Sequence, residues 1–307
     1  FILIKLKKED ALISMSDPPM LSTITGFACY LKCIKQIQWI QDVYPEITRI
    51  IGIKIPFYKS LIQLRNWSMK KAYLNIVISE EMKKYFIGQN IDANKLLIIP
   101  NWTSEQKIYP TLKENNESYK NFGDGNKFII GYSGNFGILH DFEILLEAAK
   151  KIKSEDGIEF IFIGSGYRKN EIENYLASNS LENVRIYPFQ PESNLNNILN
   201  IPDIHVITLK KGVSPFAYPS KIYGAMAAGK PILFIGEKDS EIYKFVEENN
   251  IGFSIPNKDL DGLIRVILKI YEDENLRSIM SKNAKDIFLK NYSLSIASGK
   301  WSDILNK

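Results

Sequence analysis

Residues 127–166 read KFIIGYSGNFGILHDFEILLEAAKKIKSEDGIEFIFIGSG, and this stretch indicates the fold class. Two short apolar runs, KFIIGYSG and IEFIFIGSG, enclose the segment FEILLEAAKKI, whose apolar residues recur at helical spacing. These residues form one stripe made of Phe142, Leu145, Leu146, Ala149 and Ile152. Apolar strands that alternate with a one-striped helix are typical of a parallel sheet covered on both faces by helices.

The same alternation continues on both sides of this stretch. The runs NVRIYPF, IHVITL, KPILFIG and IGFSI follow it and predict a doubly wound, Rossmann-like domain over residues 127–290. A helical segment, residues 291–307, is expected to pack back on the first domain. DALISMS, KQIQWIQ, LNIVIS and KLLIIPN are the predicted strands of a partial Rossmann-like domain over residues 1–110, joined by a polar linker, residues 111–126. The prediction is an α/β protein whose two doubly wound domains face a cleft.

The chain begins at Phe1, inside an apolar run, and we therefore expect the first domain to be truncated. With 45% hydrophobic and 24% charged residues, the composition is that of a folded protein. The longest uncharged run, residues 18–31, is too short to span a bilayer, and a cytoplasmic location is expected. Cys29 and Cys33 are four residues apart with no histidine nearby, which indicates buried free thiols rather than a zinc site.

The positive charge is concentrated in the first third of the chain. Up to Pro110 there are 15 Lys and Arg residues against 9 Asp and Glu residues. This balance favours an anionic partner such as a phospholipid surface, a lipid diphosphate or nucleic acid. A solvated lysine-rich surface explains it equally well.

Two glycine-rich segments follow predicted strands, where doubly wound domains bind ligands. In GYSGNFG, Gly134 allows the backbone to approach an anion, but the spacing is not the GxGxxG of dinucleotide sites, and NAD binding is not supported. In FIGSGYRKNEI, Gly164 and Gly166 precede Arg168 at a helix start. Arg168 there suits a bound anion, although a solvated helix start is the simpler interpretation.

The most informative segment is SPFAYPSKIYGAMAAGKPILF, residues 214–234. Pro219 and Ser220 form a preorganised helix start. Lys221 adds a positive charge beside backbone donors, which is a suitable clamp for a diphosphate. The small residues of GAMAAG permit close packing of the helix on the sheet.

Together, PSKIYGAMAAGKPIL, the GYSGN loop, FIFIGSG and the DSE string of residues 239–241 resemble retaining glycosyltransferases of the GT-B fold, family 4 (group 1). SMSDPPMLSTITGFACYLK, IQDVYPEI and IIPNW resemble the branch that transfers N-acetylated amino sugars in bacterial O-antigen and capsule synthesis. The resemblance covers nearly the whole chain in order. Its implied reaction moves a sugar from a UDP-sugar to a polyprenyl-diphosphate-linked saccharide, at the cytoplasmic face of the membrane and without nucleic acid.

The resemblance also implies the roles of individual residues. Lys221 would hold the donor diphosphate and assist catalysis, and residues 187–190 would border the nucleobase through backbone groups. The UDP-sugar is then a co-substrate, and this chemistry requires no metal or other cofactor. From the residues and the resemblance together, the predicted donor-binding residues are Gly134, Asn135, Gly164, Gly166, Arg168, Tyr187, Phe189, Pro219, Ser220, Lys221 and Glu241.

The chain departs from the family pattern in one respect. Many members carry two glutamates eight positions apart, the second of which contacts ribose, whereas Phe216 and Gly224 stand at these positions. Either this branch holds the sugar nucleotide differently or its donor affinity is reduced. The histidines, His140 and His205, do not suggest a histidine-based mechanism.

Candidate acceptor-side residues lie in the first domain. Asp42 and Glu46 flank Tyr44 directly after a predicted strand and could orient the acceptor or act as a base. An Asp that caps a helix with a Glu in its first turn is the alternative. Asn101, followed by Trp102, comes at the exit to the linker and could contact the acceptor or form a turn.

Two other functions remain open at this point. The missing glutamates suit a non-catalytic or degenerate nucleotide-sugar-binding protein, which the intact PSK and GYSGN strings oppose. A UDP-sugar 2-epimerase would use the same fold, but its acid–base set of histidine and carboxylates is not evident. The amphipathic segment PFYKSLIQLRNWSMKKAY, residues 56–73, further predicts peripheral contact with a membrane.

Overall fold

The structure is a computed structural model that describes residues 6–122 and 127–306. The chain divides into two compact units. The first contains the described residues up to Pro100 together with Gly212–Tyr218, and the second contains the rest. This division differs from the predicted one, because residues 101–110 join the second unit and a short segment after residue 211 joins the first.

The first unit is built on a sheet of four parallel strands in the order β1-β2-β3-β4. The strands are β1 (Ala11–Met15), β2 (Lys35–Ile40), β3 (Leu74–Val77) and β4 (Leu96–Ile98). The helices are α1 (Leu21–Lys32), α2 (Glu46–Ile50), α3 (Tyr58–Lys71) and α4 (Glu80–Gly88). All four predicted strands are confirmed, and the crossover order is that of half a doubly wound sheet.

The second unit is built on six parallel strands in the order β10-β9-β8-β5-β6-β7. The strands are β5 (Phe128–Asn135), β6 (Ile158–Ser165), β7 (Val184–Tyr187), β8 (Ile204–Thr208), β9 (Ile232–Gly236) and β10 (Gly252–Pro256). The helices are α5 (Glu143–Lys151), α6 (Lys169–Asn179), α7 (Leu195–Asn200), α8 (Lys221–Ala227), α9 (Glu241–Glu248), α10 (Leu260–Glu272), α11 (Glu274–Asn291) and α12 (Leu294–Leu305).

The core of the second unit follows the sequence pattern. All five residues of the predicted stripe on α5 and at its two ends are buried. They pack with the aromatic side chains of β5 and β6, among them Tyr132, Phe160 and Phe162. This apolar face is shielded from water and fixes α5 against the sheet, since burial of apolar side chains is the main stabilising contribution.

The predicted linker is an integral part of the second unit as far as it is described. Tyr119 and Phe122 are buried in a small core with Ile161 and Ile198. The Thr111 amide donates to Asn200 Oδ1 of α7 at 2.9 Å. Residues 123–126 lie outside the described residues.

The start of α12 contacts the segment just before the predicted linker. The Leu294 amide donates to Glu105 Oε2 at 2.9 Å, and Thr103 forms a bridge with Ser293. The packing of residues 291–307 on the first domain stays a prediction, and Lys307 lies outside the described residues. Among the described helices, none combines the length and the hydrophobicity needed to cross a membrane.

The cysteines differ from the expectation in one respect. Cys29 is buried inside α1, and burial raises the pKa of its thiol. Cys33 is exposed because α1 ends at Lys32 and Cys33 itself takes the left-handed conformation that terminates the helix, with φ of 55°. Both thiols are free.

Candidate active site

The sheet of the second unit changes direction at β5. From β5 the chain continues outward through β6 and β7, and then places β8 on the other side of β5. Ligands of doubly wound sheets bind outside the carboxyl ends of the strands at such a switch point. Here Gly134 and Asn135 end β5, and Thr208 ends β8.

The predicted glycines bring two chain segments close together at this edge. A Cβ on Gly164 would lie 1.9 Å from the carbonyl oxygen of Gly134, and one on Gly166 would lie 2.3 Å from Asn135 Oδ1. Gly164 and Gly166 have φ of 151° and 152°, values that L side chains rarely adopt. These glycines therefore shape the loop and do not line the cavity described below.

Lys221 reaches this edge of the sheet from the start of α8. It is the first residue of α8, and a Cβ on Gly134 would lie 2.5 Å from its Cε atom. Helix α8 is itself fixed by α11, whose Lys285 donates to the Ala227 carbonyl at 2.9 Å. Gly134 and Lys221, which are both predicted to contact the diphosphate, thus lie in direct contact with each other.

The Lys221 ammonium group is held by neutral atoms. Its Nζ donates to the Tyr132 hydroxyl, to His140 Nε2 at 3.2 Å and to the Asn135 carbonyl at 3.3 Å. Nζ also lies 4.0 Å from the centroid of the Tyr132 ring, within cation–π range. Burial lowers the pKa of Lys221 to about 7, because the charged form loses hydration.

His140 and Tyr132 are site residues that the sequence interpretation missed. His140 Nδ1 lies 2.7 Å from the Thr208 carbonyl, which can only accept, so this nitrogen carries the proton and Nε2 is free to accept. Burial and the nearby Lys221 charge lower the pKa of His140 to about 4. Tyr132 lies two residues before Gly134, which was the only signal for it. The separation of His140 from Lys221 in sequence offered none.

A cavity of about 350 Å³ opens next to Lys221 and Gly134. One side is apolar and aromatic, and includes Phe189 and Trp102. The Ser133 hydroxyl at its wall is buried without a hydrogen-bond partner among the described residues. The lining residues are Trp102, Thr103, Ser133, Gly134, Ile163, Phe189, Gln190, Pro191, Leu195, Ile198, Leu199, His205, Val206, Ile207, Ser220, Lys221 and Gly224.

Arg168 has a different environment from the one expected. Its guanidinium is buried and forms ion pairs with Glu171 and Glu143, the latter at 3.0 Å. It also donates to the His140 carbonyl at 2.9 Å. The anions that accompany Arg168 are thus carboxylates of the protein, and its contact with His140 supports the loop around Lys221.

Of the remaining donor-side candidates, some line the cavity and others do not. Tyr187 packs on Phe122, with ring centroids 4.7 Å apart, and does not line it. Glu241 begins α9 and is likewise not part of the lining, whereas Ser220 is. Pro219 is buried immediately before Ser220.

The acceptor-side candidates lie elsewhere. Asp42 and Tyr44 line a cavity of only about 20 Å³ in the first unit. The environment of Asp42 raises the pKa of its carboxyl to about 6, through burial and then the negative charge of Asp17. Asn101 contacts Tyr223 through a backbone hydrogen bond.

The contacts of Glu46 argue against a role as a base. Its Oε2 accepts from Arg65 at 2.6 Å and its Oε1 accepts from the Tyr85 hydroxyl, and both Glu46 and Arg65 are buried. Both oxygens of this buried carboxylate are thus engaged in contacts that hold the unit together. Of the alternative, the position of Glu46 in the first turn of α2 is confirmed, whereas Asp42 as helix cap is wrong, because Pro45 precedes α2 and no side chain caps it.

Two parallel-sheet α/β domains of this kind are those of the GT-B class of glycosyltransferases. The family model for glycosyl transferases group 1 matches residues 113–287, and the chain therefore belongs to this family of transferases.

Individual relatives agree with this assignment. The chain is 27% identical over 302 residues to a "Probable glycosyltransferase WbjE" of Pseudomonas aeruginosa, covering 97% of this chain and 74% of that protein. It is 28% identical over 172 residues to the glycosyl transferase WcaI of Escherichia coli K12, which is assigned provisionally to colanic acid biosynthesis; this match covers 55% of this chain and 42% of that protein.

A similar structure is that of Alr3699/HepE from Anabaena in complex with UDP. It superposes with a TM-score of 0.82 at 16% identity, over 97% of this chain and 78% of that chain. At this identity the likeness shows a common fold.

Proposed function

We propose that the protein transfers a sugar, N-acetylated and with retention of configuration, from a UDP-sugar to a lipid-diphosphate-linked saccharide during synthesis of a surface polysaccharide. The donor occupies the cavity beside Lys221 and Gly134, with its diphosphate at the ammonium group. Polysaccharide synthesis is supported by the similarity to WcaI, whose name refers to colanic acid. The N-acetylated sugar, the acceptor and retention rest on the resemblance in sequence.

The observation that carries this proposal is a half-buried cation without a counterion. Lys221 forms no ion pair among the described residues, and its side chain passes directly beside Gly134, where a Cβ would lie 2.5 Å from its Cε atom. Burial of an unpaired charge is costly, and an anionic ligand would offset that cost. A diphosphate also provides several oxygen acceptors for the ammonium hydrogens.

The donor class is supported by similar structures. Alr3699/HepE was crystallised with UDP and with UDP-glucose. In the present chain, Phe189 and Gln190 line the cavity and provide an apolar surface and backbone groups for a base. During transfer, Lys221 would stabilise the departing UDP, whose leaving phosphate would assist deprotonation of the acceptor hydroxyl. This mechanism uses no metal.

The ribose must be held without a carboxylate at residue 224. A Cβ on Gly224 would lie 3.0 Å from Leu199 Cδ1, so this part of the cavity is closed by an apolar side chain. Phe216 packs on Tyr85 instead, with ring centroids 4.9 Å apart. We propose that Ser133 and Ser220, both at the cavity wall, replace the carboxylate as ribose partners.

Titration calorimetry with UDP, GDP, ADP and NAD tests the donor site. We expect selective binding of UDP, weakened by roughly 1.5–3 kcal/mol in Lys221→Ala through loss of a charge-assisted contact. Lys151→Ala, an exposed position on α5, is the matched control and should bind UDP normally. Equal UDP affinity of folded Lys221→Ala and the unmodified protein would refute the proposal.

Peripheral contact with the membrane is the second part of the proposal. On and beside α3, Phe57 and Leu64 are exposed apolar side chains, and Lys59, Lys70 and Lys71 are exposed cations. Such a combination suits an anionic lipid surface. Flotation with anionic and neutral liposomes at low salt is the test. Binding to anionic liposomes alone is expected, and no binding would remove this part.

A further inference from the structure

Lys221 is surrounded by groups that satisfy its hydrogen bonds and leave its charge uncompensated. An ammonium group has three hydrogens. The three acceptors within reach are the Tyr132 hydroxyl of β5, His140 Nε2 of the segment before α5, and the Asn135 carbonyl. All three are neutral, and no carboxylate pairs with Lys221 among the described residues.

The neutral state of two of these acceptors is imposed by their own partners. The Tyr132 hydroxyl donates to the Asn135 carbonyl at 2.8 Å, which leaves its lone pair for Lys221. His140 donates through Nδ1 to the Thr208 carbonyl, which leaves Nε2 for Lys221. A second proton on His140 would direct an N–H at the ammonium and break the contact.

Other charged groups near this cluster have ion-pair or hydrogen-bond partners of their own. Arg168 at the start of α6 reaches the His140 carbonyl and is neutralised by Glu143 and Glu171. Asp141, next in sequence to His140, accepts from Asn257 Nδ2 at 3.1 Å. Ser220, which precedes Lys221 at the start of α8, carries no charge.

We propose that Tyr132 and His140 are positioning residues for Lys221, and that diphosphate binding is coupled to uptake of a proton by Lys221. The inference rests on the proposed function, since it assumes a diphosphate at this lysine. The two residues hold Nζ beside Gly134. The longest contact, 3.3 Å to the Asn135 carbonyl, is the one that a phosphate oxygen replaces at least cost.

The proton coupling has a defined direction. Burial lowers the pKa of Lys221 to about 7, so much of the population is uncharged above neutral pH. A bound dianion favours the ammonium form and raises that pKa. UDP affinity therefore falls as pH rises above about 7, by up to about tenfold per pH unit, and each binding event takes up to one proton from the buffer.

Calorimetry with UDP between pH 7.5 and 9, in buffers of different ionisation enthalpy, measures this uptake. The terminal phosphate of UDP, with a pKa of about 6, is already ionised in that range. We expect proton uptake by the unmodified protein. Lys221→Arg should bind UDP without uptake, because its guanidinium stays charged. The comparison of the unmodified protein with Lys221→Arg separates the effect of a positive charge at this position from the effect of its titration.

The positioning role is tested by Tyr132→Phe, which keeps the buried ring, and by His140→Leu. Each removes one acceptor and should shift the midpoint of the UDP pH profile to lower pH, with affinity reduced roughly tenfold at pH 8. His140→Gln restores a neutral acceptor and should recover part of the midpoint shift and part of the lost UDP affinity. A structural role alone would lower the melting temperature and leave the midpoint in place.

The outcomes separate the two levels of the proposal. If Lys221→Ala binds UDP as well as the unmodified protein, the proposed function itself is wrong. If binding depends on Lys221 but shows no proton uptake, the further inference is overturned and the donor site stands. The same holds if folded Tyr132→Phe and His140→Leu both keep the original midpoint of the pH profile.

Discussion

At the level of single residues, the glycines of the second unit differ sharply in what they allow. Gly164 lies where a Cβ would meet the Gly134 carbonyl at 1.9 Å, whereas a Cβ on Gly299 in α12 would have no heavy atom within 4 Å. The first cannot accept a side chain without moving the backbone of β5. The second can.

Gly164→Ala should therefore destabilise the protein by more than about 2 kcal/mol and abolish UDP binding, since the clash and the strained φ both act on the Gly134 loop. Gly299→Ala, the matched control, should be neutral or stabilise by about 0.5–1 kcal/mol through helix propensity. Urea denaturation and UDP titration measure both. A fully stable, UDP-binding Gly164→Ala would contradict the close approach of β5 and β6.

Asp42 links the stability of the first unit to pH. Its carboxyl has a pKa raised to about 6 in the folded state, by burial and by Asp17, against about 3.9 in an unfolded chain. The folded state thus binds the proton more tightly, so this contribution to stability is present below about pH 4 and is lost as pH rises to about 6.

Asp42→Asn should remove this loss and stabilise the first unit by about 1–3 kcal/mol at pH 7.5, with little change at pH 4. Asp17→Asn, which removes the second cause only, should give a smaller gain. Denaturation curves from pH 4 to 8 provide the comparison. A pH-independent difference between Asp42→Asn and the unmodified protein would show that Asp42 titrates normally.

At the level of elements, α2 is attached to α3 by a buried ion pair. Glu46 in the first turn of α2 bonds to Arg65 of α3 and to Tyr85 of α4, so three helices meet at one carboxylate. The sequence marked Glu46 as an acidic residue after a strand. Its burial depends on where α3 and α4 fold, which the local pattern does not contain.

Glu46→Ala should cost about 3–5 kcal/mol, because it leaves the Arg65 charge buried and unpaired. Glu192→Ala removes the partner of Lys107 in an exposed ion pair and should leave the melting temperature unchanged. Glu46→Gln distinguishes structure from catalysis. Loss of sugar transfer in a Glu46→Gln protein of normal stability would restore Glu46 as a base.

Strand β2 shows the limit of pattern arguments for an element. Gln36 and Gln38 alternate with apolar residues, as in a strand with one solvated face. Both are buried and hydrogen-bonded, for example from Gln36 Nε2 to Ser14 Oγ at 2.9 Å and from Gln38 Nε2 to Ser68 Oγ at 2.7 Å. The polar partners come from β1 and α3, which are distant in sequence.

At the level of the whole molecule, the residues that line the proposed donor cavity all belong to the second unit. A nucleotide that binds there should stabilise it by about 2.7 kcal/mol at a hundredfold excess over its Kd. In hydrogen exchange we expect UDP to protect β5 and residues 219–228, and to leave α1 and β1 unchanged. Protection confined to the first unit would contradict the assignment of the donor site.

Sequence patterns were sufficient to predict the strands of both sheets and the stripe of α5, because each depends on local periodicity. That Gly134 and Lys221 belong to one site was implied by the family resemblance and not by a local pattern. Which polar residues meet was visible only in the folded chain. Tyr132 and His140 reach Lys221, Arg168 turns to Glu143, and Glu46 is buried against Arg65, through contacts between chain segments far apart in sequence. Hydrogen-bond and charge partners are set by the packing of whole elements, and no local pattern encodes them.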